Sequence, residues 1–342
     1  MSSDADSTEL VRDMGEFRLI DILRLTLPTP VRRGSDVVLG IGDDAAVLRL
    51  PENQSLVVTS DAMVDKVHFR LDWTDWRSLG HKLLAVNLSD LAAMGASPLG
   101  VVLTLGLTGE ERVSDLVELY AGLGDLALRY GVVVCGGDVV RSRNALFLDL
   151  TAFGSVVPGQ EIRRSGAHEG DLIAVSGMLG ASAAGLALLE SGDSTASTAG
   201  MLIASHLRPE PRLDFGKMLW KHGVSAAMDL SDGLFGDLPK LLYQSGVCAR
   251  IEQDLVPIPA AVRALFPDHW FELGTAGGED YELLLTFPPA LRSGLTNAAA
   301  VVGSTITVIG EVVAGSPGGI VLIDTTGQES DVDTGAFDHF RA

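Results

Sequence analysis

The sequence has few cysteines, few basic residues and no long apolar run. Its 342 residues include two cysteines, Cys135 and Cys248, which are too few for a disulfide framework and lack the spacing of metal ligands. With 25 Lys and Arg against 45 Asp and Glu, the formal net charge is -20, which argues against nucleic acid or an anionic membrane as a partner. No run reaches transmembrane length and the first fourteen residues have no apolar signal core, so we expect a cytoplasmic protein.

The pattern of apolar residues predicts an α/β (α+β) chain of two domains. Hydrophobic residues make up 46% of the sequence, enough for a sizeable core, and the length favours two domains. Short β-like runs alternate with helical patterns, and an amphipathic helix over 116–130 should end at Gly131. Strands are predicted at 37–40, 45–50, 55–64, 101–107, 131–136, 146–157, 171–177 and 225–231, and further helices at 181–190 and 212–223. A polar, glycine-bearing segment at 158–171 separates an N-terminal domain, 1–157, from a C-terminal domain, 158–342.

Aspartates follow small residues at the ends of predicted elements. A small residue lets a ligand approach closely, and a serine adds an oxygen ligand. Any one pair is more often a turn or a helix cap, but five pairs favour a shared function. Magnesium fits because it takes hard oxygen ligands and is held by one or two carboxylates with substrate phosphates, so we predict several Mg²⁺ ions in an acidic, polyphosphate-binding cleft. The pairs are Gly42 with Asp43 and Asp44, Ser60 with Asp61, Ser89 with Asp90, Gly137 with Asp138, and Ser231 with Asp232.

Glycine motifs do not by themselves identify a nucleotide site. GIGDDA at 40–45 fits G-x-G-x-x-A, but strand-like residues follow where a Rossmann fold needs a helix. No Walker loop and no protein-kinase catalytic loop occurs, so ATP would bind through another fold. The glycine-rich segment 171–190 is compatible with a phosphate cradle at a helix N-terminus and equally with close helix packing.

The segment HKLLAVNLSDLAAMG, residues 81–95, is the most informative. As a helix it places Asn87 and Asp90 on one face and leucines on another, while its alanines permit close packing. This arrangement favours approach of a metal to Asp90. A tightly packed core helix with one solvated polar stripe explains the same pattern.

Ten stretches resemble thiamine-monophosphate kinases, a family within the superfamily of aminoimidazole ribonucleotide synthetase. They occur in the family's order and cover nearly the whole chain, and NLSDLAAMGA together with GGEDYEL is specific to the kinase. They are GEFRLI (15–20), GIGDDAAV (40–47), VTSDAMVDKVHF (58–69), KLLAVNLSDLAAMGA (82–96), GGD (136–138), RRSGAHEGD (163–171), HLRPEPR (206–212), MDLSDGL (228–234), AGGEDYEL (276–283) and FDHF (337–340).

The resemblance implies two synthetase-like domains and an ATP-dependent kinase. The N-terminal domain would hold a mixed sheet, the dimerising strands and most of the metal and ATP site, and the C-terminal domain would complete the ATP and substrate site. The γ-phosphate of ATP would pass directly and in line to thiamine monophosphate, assisted by Mg²⁺, giving thiamine diphosphate and ADP. No general base is expected, because the acceptor oxygen is already ionised. The family pattern also implies a homodimer.

The resemblance assigns individual residues. The substrate contacts are His68, Glu279 and Thr334. Thr334 stands where family members often place an aromatic residue against the thiamine ring, so either Thr334 replaces that contact or Phe337 or Phe340 supplies it, although packing is the commoner role of such phenylalanines. The ATP contacts are Gly137, Asp138, Arg164 and Ser231. The magnesium positions are Asp44, Thr59, Ser60, Asp61, Asp90, Asp138, Asp229 and Asp232, with Asp43 adjacent to them.

Two other functions remain open from the sequence. A sister enzyme such as selenophosphate synthetase would need an N-terminal Cys with a nearby Lys, and the hydrogenase-maturation enzyme would need a C-terminal Cys; the chain has neither. A non-catalytic magnesium-nucleotide sensor is favoured by Thr334. The intact carboxylates argue against it, because repelling charges are costly to keep together without their ions.

Overall fold

The computed structural model describes residues 8–192 and 195–332, which divide into two compact units. The first unit contains residues 8–91 and 97–158, and the second contains residues 92–96 and 159–332. The pentapeptide 92–96 therefore belongs to the second unit although it lies in the first half of the sequence, which a single chain boundary does not predict.

The first unit combines a mixed sheet with helices. Its helices are α1 (Val11–Met14), α2 (Glu16–Thr26), α3 (Thr29–Arg32), α4 (Trp76–Ala93) and α5 (Val113–Tyr130). Its strands are β1 (Val37–Leu39), β2 (Val47–Leu48), β3 (Ser55–Val64), β4 (Ser97–Leu107), β5 (Val133–Arg141) and β6 (Phe147–Val156). The order of the four long strands is β3-β6-β4-β5, with β4 and β5 parallel and the other pairs antiparallel.

The two faces of this sheet differ in burial because side chains alternate along a strand. Leu103, Leu105, Leu148 and Leu150 are buried on one face, which also receives α4. The other face, called the open face below, carries half-exposed residues such as Thr104 and Asp149. Thr59 and Asp61 are four and two residues before buried Met63 on the same strand. They therefore point to the same face as Met63, which is the helix-covered face.

The second unit is built on a seven-stranded mixed sheet. Its strand order is β13-β12-β9-β11-β7-β10-β8, with β12 and β9 parallel and the other neighbouring pairs antiparallel. The strands are β7 (Leu172–Ser176), β8 (Ala226–Asp229), β9 (Cys248–Glu252), β10 (Leu283–Phe287), β11 (Ile306–Val313), β12 (Ile320–Ile323) and β13 (Glu329–Asp331). The helices are α6 (Ala181–Ser191), α7 (Ala199–Leu207), α8 (Leu213–Gly216), α9 (Leu234–Ser245), α10 (Ala260–Leu265), α11 (Trp270–Thr275) and α12 (Arg292–Val301), with 3₁₀ turns at Trp220–His222, Gln253–Leu255 and Pro289–Leu291.

The core of the second unit lies against its central strands. Leu234, Leu238 and Leu241 recur at helical spacing along α9 and join Ile173 and Met228 in one buried cluster. Two units that each combine a mixed sheet with helices confirm the predicted α/β (α+β) class. Among the described residues, no helix has both the length and the apolar character to cross a membrane.

Most predicted elements are confirmed, and one helix is wrong. Strand β3 covers residues 55–64 as predicted, and α5 ends at Gly131, whose φ of 69° is the left-handed C-cap conformation. The helix predicted over 212–223 is instead α8, which ends at Gly216, followed by a separate 3₁₀ turn. Glycine weakens the helix there, and a Cβ at Gly216 would lie 2.2 Å from the carbonyl oxygen of Ala92.

Candidate active site

In the first unit, three predicted magnesium positions share the helix-covered face of the sheet. Thr59 on β3 donates its hydroxyl to the Asp90 carboxylate on α4. Asp61, two residues farther along the strand, is close enough to Asp90 for the two carboxylates to repel each other. The helix predicted at 81–95 therefore delivers Asp90 to the strand predicted at 55–64.

The Asp61 carboxyl is strongly perturbed by this environment. The pKa of Asp61 is raised to about 6. Burial is the largest cause, and the negative charges of Asp90 and Asp149 also contribute. A bound cation would relieve both effects because it restores charge balance to oxygens that have lost water. The donor chemistry of Thr59, Asp61 and Asp90, all hard oxygen, fits Mg²⁺.

Ser60 and Asp138 lie on the opposite, open face. The Ser60 hydroxyl is 3.2 Å from Asp149 Oδ1 and 3.0 Å from Thr151 Oγ1 on β6. Thr104 on β4 pairs with Asp138 on one side and Asp149 on the other, so these three side chains form a row across the sheet. Asp138 is on edge strand β5, three strand spacings or roughly 14 Å from edge strand β3. The side chains of the consecutive residues 59–61 thus alternate between the two faces of the sheet: Thr59 and Asp61 lie on the helix-covered face, and Ser60 lies on the open face.

The GIGDDAAV segment is a short exposed connection between β1 and β2. Asp43 and Asp44 are both exposed, and Asp43 Oδ1 accepts the Asp44 N–H at 2.9 Å. A Cβ at Gly40 would lie 3.7 Å from the Cys135 carbonyl oxygen, so the segment leaves β1 beside β5, the strand of Asp138. On β5, Gly137 has a packing role of its own, since a Cβ there would lie 2.1 Å from the Leu103 carbonyl oxygen.

His68 follows β3 in a tight turn. Its Nδ1 accepts the Val64 N–H at 3.1 Å, and its own N–H donates to the Val64 carbonyl at 2.9 Å. In the neutral ring the proton therefore sits on Nε2. The preceding turn residue Lys66 has a φ of 66°.

In the second unit, the MDLSDGL and AGGEDYEL motifs form two loops that hydrogen-bond to each other. The N–H groups of Glu279 and Tyr281 donate to the carbonyls of Ser231 and Leu230 at 2.8 and 2.9 Å. Gly233, with a φ of 83°, lies so close to the second loop that a Cβ would be 2.7 Å from the Gly277 carbonyl oxygen. Segments about 50 residues apart in sequence therefore place Asp229, Ser231, Asp232 and Glu279 in one loop pair, 229–233 with 277–282.

Asp280 joins this loop pair to helix α6. Its carboxylate accepts the N–H groups of Gly180 and Ser182 at 2.7 and 3.2 Å, which occupies donors at the α6 N-terminus. Burial raises the pKa of Asp280 to about 7 against the lowering effect of these two bonds, and Glu282 and Glu279 raise it further. The glycines of 171–190 serve packing: a Cβ at Gly185 would lie 2.1 Å from the Leu202 carbonyl oxygen.

Glu279 is held by buried His206. His206 Nδ1 is 3.3 Å from Glu279 Oε2 and 3.1 Å from Ser182 Oγ. Glu279 and Tyr281 have φ values of 67° and 51°, a conformation that costs free energy in residues other than glycine and is concentrated at functional sites.

Half-buried Arg212 and buried Glu282 form a bidentate pair. Arg212 Nε is 2.7 Å from Glu282 Oε2, and its Nη2 pairs with Oε1. Ser176 Oγ donates to Glu282 at 2.5 Å and accepts the Leu283 N–H at 2.8 Å. This network joins the HLRPEPR and AGGEDYEL motifs through β7.

Several functional candidates were missed by the sequence predictions. Asp280, Glu282, His206 and Arg212 lie inside quoted motifs, so the motifs themselves carried the signal. Asp149 follows leucine, so the small-residue pattern could not find it.

The remaining predicted residues are not joined to these groups by any described contact. Arg164 is exposed and its carbonyl accepts the Ser245 hydroxyl at 3.1 Å. Thr334, Phe337 and Phe340 lie outside the described residues. Within the described ranges, no three His, Cys, Asp or Glu side chains are grouped as one metal site. A site with fewer than three grouped protein ligands is compatible with Mg²⁺, because one or two carboxylates hold this ion together with phosphate oxygens and water.

Family profiles match both units. The profile for the AIR synthase related protein, N-terminal domain, matches residues 42–156. The profile for the AIR synthase related protein, C-terminal domain, matches residues 168–323.

Individual relatives span nearly the whole chain. The thiamine-monophosphate kinase of Escherichia coli is 41% identical over 89% of this chain and 93% of its own. The crystal structure of thiamine-monophosphate kinase from Stenotrophomonas maltophilia superposes with a TM-score of 0.81 at 37% identity, covering 93% of this chain and 98% of that one. The structure of AaThiL complexed with AMPPCP and TMP has a TM-score of 0.75 at 29% identity, covering 96% and 98%.

Proposed function

Because the chain belongs to the thiamine-monophosphate kinase family of AIR synthase related proteins, we propose that its two groups of oxygen ligands, one on β3 and α4 and one in the loop pair 229–233 with 277–282, serve phosphoryl transfer. The protein is an ATP-dependent kinase that converts thiamine monophosphate to thiamine diphosphate and releases ADP. The observation that carries the proposal is the hydrogen-bonded loop pair 229–233 with 277–282, which unites two family motifs.

The transfer is direct and in line. The bond between the γ-phosphorus and the β,γ-bridging oxygen breaks as an oxygen of the acceptor phosphate bonds to the γ-phosphorus, and the electron pair leaves with ADP. The acceptor oxygen is ionised at neutral pH, so no side chain has to remove a proton. Catalysis then consists of positioning and charge stabilisation.

Each predicted residue has a role in this scheme. Asp43, Asp44, Thr59, Ser60, Asp61, Asp90, Asp138, Asp229 and Asp232 are the proposed Mg²⁺ positions; the hydroxyl of Ser60 lies on the open face, away from Asp90. When bound, Mg²⁺ neutralises phosphate charge that this acidic chain would otherwise repel.

The ATP and acceptor contacts complete the assignment. Gly137, Asp138, Ser231 and Arg164 contact ATP, and the planar guanidinium can hold phosphate oxygens bidentately. Glu279, oriented by His206, and His68 contact the acceptor, whose thiazolium ring is cationic and complements a carboxylate. Thr334, which lies outside the described residues, stays a predicted substrate contact. The proposed functional domains are 1–157 and 158–342, and the proposed location is the cytoplasm.

We also propose a homodimer that pairs through the open face of the first unit. That face carries Leu56 and Val58, which are 51% and 53% exposed, and Val140, which is 38% exposed. Half-exposed aliphatic side chains on a sheet face gain free energy when a second sheet covers them.

A product assay tests the kinase activity. Purified protein is incubated with ATP, Mg²⁺ and thiamine monophosphate, and the nucleotides and thiamine species are separated by chromatography. We expect thiamine diphosphate and ADP in equal amounts, with no product after chelation of Mg²⁺. ADP without thiamine diphosphate would refute the acceptor assignment.

Asp90→Asn tests the metal site. The change keeps shape and an acceptor for Thr59 but removes the charge, so turnover should fall by about two orders of magnitude or more. Asp125→Asn is the control, because Asp125 is an exposed helix aspartate of the same unit that pairs with Arg77. Near-normal turnover in folded Asp90→Asn protein would contradict the assignment.

A further inference from the structure

Asp237 on helix α9 is a completely buried carboxylate. Its exposed fraction is 0%, and aspartate is almost never fully buried unless its charge is paired. It follows Asp232 by five residues, at the end of the first turn of α9. Burying the Asp237 carboxylate removes it from water, which is unfavourable unless hydrogen bonds or an opposite charge compensate.

The partners of Asp237 lie on the loop before its own helix. Oδ2 accepts both the Ser231 N–H and the Asp232 N–H, each at 2.8 Å. Two bonds to one oxygen fix the peptide planes of consecutive residues, and with them the direction in which each Cα–Cβ bond leaves the backbone. Ser231 and Asp232 are the residues proposed for ATP and Mg²⁺.

Lys240, one helical turn after Asp237, holds the other end of Asp232. Its Nζ donates to Asp237 Oδ1 at 2.8 Å and to Asp232 Oδ2 at 2.5 Å. Asp232 is therefore constrained at its backbone by Asp237 and at its carboxylate by Lys240. The single ammonium also separates two carboxylates that would otherwise repel each other.

The loop is held from its other side as well. The carbonyls of Leu230 and Ser231 accept N–H groups from Tyr281 and Glu279, so both polar edges of this short segment are bonded. Neither Asp237 nor Lys240 is among the proposed ligands, yet each binds them directly.

We infer that Asp237 is a positioning residue for the nucleotide site, acting through Ser231 and Asp232, and that Lys240 completes it by orienting the Asp232 carboxylate. This inference rests on the proposed function, because it takes Ser231 and Asp232 as nucleotide and metal contacts. The expected consequence is a defect in nucleotide affinity that exceeds any defect in acceptor affinity, since the Glu279 carboxylate contacts His206 and makes no contact with Asp237 or Lys240 among the described bonds.

The test is a graded series of variants of the full chain. Asp237→Ala loses all three bonds, Asp237→Asn keeps an oxygen for the two N–H groups but not the charge for Lys240, and Lys240→Gln removes only the ammonium. Binding of AMPPCP with Mg²⁺ is measured by calorimetry, and KM for ATP and for thiamine monophosphate by the product assay.

We expect the AMPPCP dissociation constant to rise about 100-fold, 10-fold and 3-fold in that order, with KM for thiamine monophosphate changing less than threefold. Amide hydrogen exchange at residues 231–232 should accelerate most in Asp237→Ala. The matched control is Asp214→Asn with Lys217→Gln, an exposed i,i+3 pair at 3.2 Å in the same unit, which should leave every constant within twofold.

Wild-type nucleotide affinity in folded Asp237→Asn and Lys240→Gln would overturn the inference, as would equal loss of both KM values. If Asp237→Ala does not fold, the other two variants still decide. Failure of the wild-type protein to bind AMPPCP or form product would refute the proposed function instead, and the exchange rates at 231–232 would still test whether Asp237 holds the loop.

Discussion

Asp280 shows how a single residue can join two elements at a cost in free energy. It lies between two non-glycine residues with positive φ, Glu279 and Tyr281, and its carboxylate binds the N–H groups of Gly180 and Ser182. Burial raises its pKa to about 7, with Glu282 and Glu279 contributing. Above about pH 7, where Asp280 is ionised, its charge therefore lowers the stability of the folded state.

Asp280 should make the stability of the protein depend on pH. Its folded-state pKa lies above the ordinary value of 3.8, so the folded state binds more protons than the unfolded state between these values. The contribution of Asp280 is complete below about pH 4 and is lost as the pH rises through about 7. We expect the free energy of unfolding of the wild type, relative to Asp280→Asn, to fall between pH 5 and 8 in urea titrations.

Asp324 supplies the control for this prediction. Hydrogen bonds from Thr326 and Gln328 lower its pKa, so its contribution is complete above pH 4 and is lost only in more acidic solution. The difference between wild type and Asp324→Asn should therefore be flat from pH 5 to 8. A flat profile for Asp280→Asn as well would show that Asp280 has an ordinary pKa.

At the scale of elements, α4 and α5 pack at backbone distance. A Cβ at Gly80 would lie 1.9 Å from the Leu119 carbonyl oxygen, and one at Gly122 would lie 1.9 Å from the Arg77 carbonyl oxygen. Each helix therefore presents a glycine to the backbone of the other. This contact sets the position of α4, and with it the position of Asp90 beneath β3.

Gly122→Ala should separate these two helices. Because the obstructing atom belongs to the backbone, relief requires a helix to move, and we expect a loss of about 2 kcal/mol or more in the free energy of unfolding of the first unit. The measurement is urea denaturation monitored by circular dichroism. Gly124→Ala, two residues along α5, meets only side-chain atoms of Pro28 and Leu27 at 3.2 and 3.3 Å and should change stability by less than about 1 kcal/mol. Similar losses for both variants would contradict the close-packing argument.

At the scale of the whole molecule, net charge opposes the proposed dimer. Two chains of formal charge -20 repel each other, whereas the aliphatic residues of the open face favour association. Salt screens the repulsion without weakening apolar burial. The wild-type dimer should therefore dissociate less as ionic strength rises.

Val58→Asp should convert the dimer to a monomer of unchanged fold, because it places a charge among the exposed aliphatic side chains of the proposed contact. Light scattering after size exclusion gives the mass directly. Val301→Asp is the control, since Val301 is 80% exposed on α12 of the second unit and should leave the mass unchanged. A dimeric Val58→Asp protein would place the contact elsewhere.

The sequence by itself determined the local elements and the chemistry that they carry. Strand β3 and helix α5 follow from apolar periodicity, and the end of α5 follows from Gly131, because these signals depend on residues within a few positions of one another. The carboxylates after small residues predicted oxygen ligands for the same reason. The family motifs predicted an ATP-dependent kinase of two α/β domains.

Only the tertiary structure decided how those residues are combined. The alternation of side chains sends Ser60 to one face of a sheet while Thr59 and Asp61 stay on the other, and strand order places Asp138 on the far edge. Asp280 binds residues about 100 positions away, and Arg212 pairs with Glu282 across 70 positions. Such contacts have no local signal, because they depend on where the sheet and loops bring distant segments together.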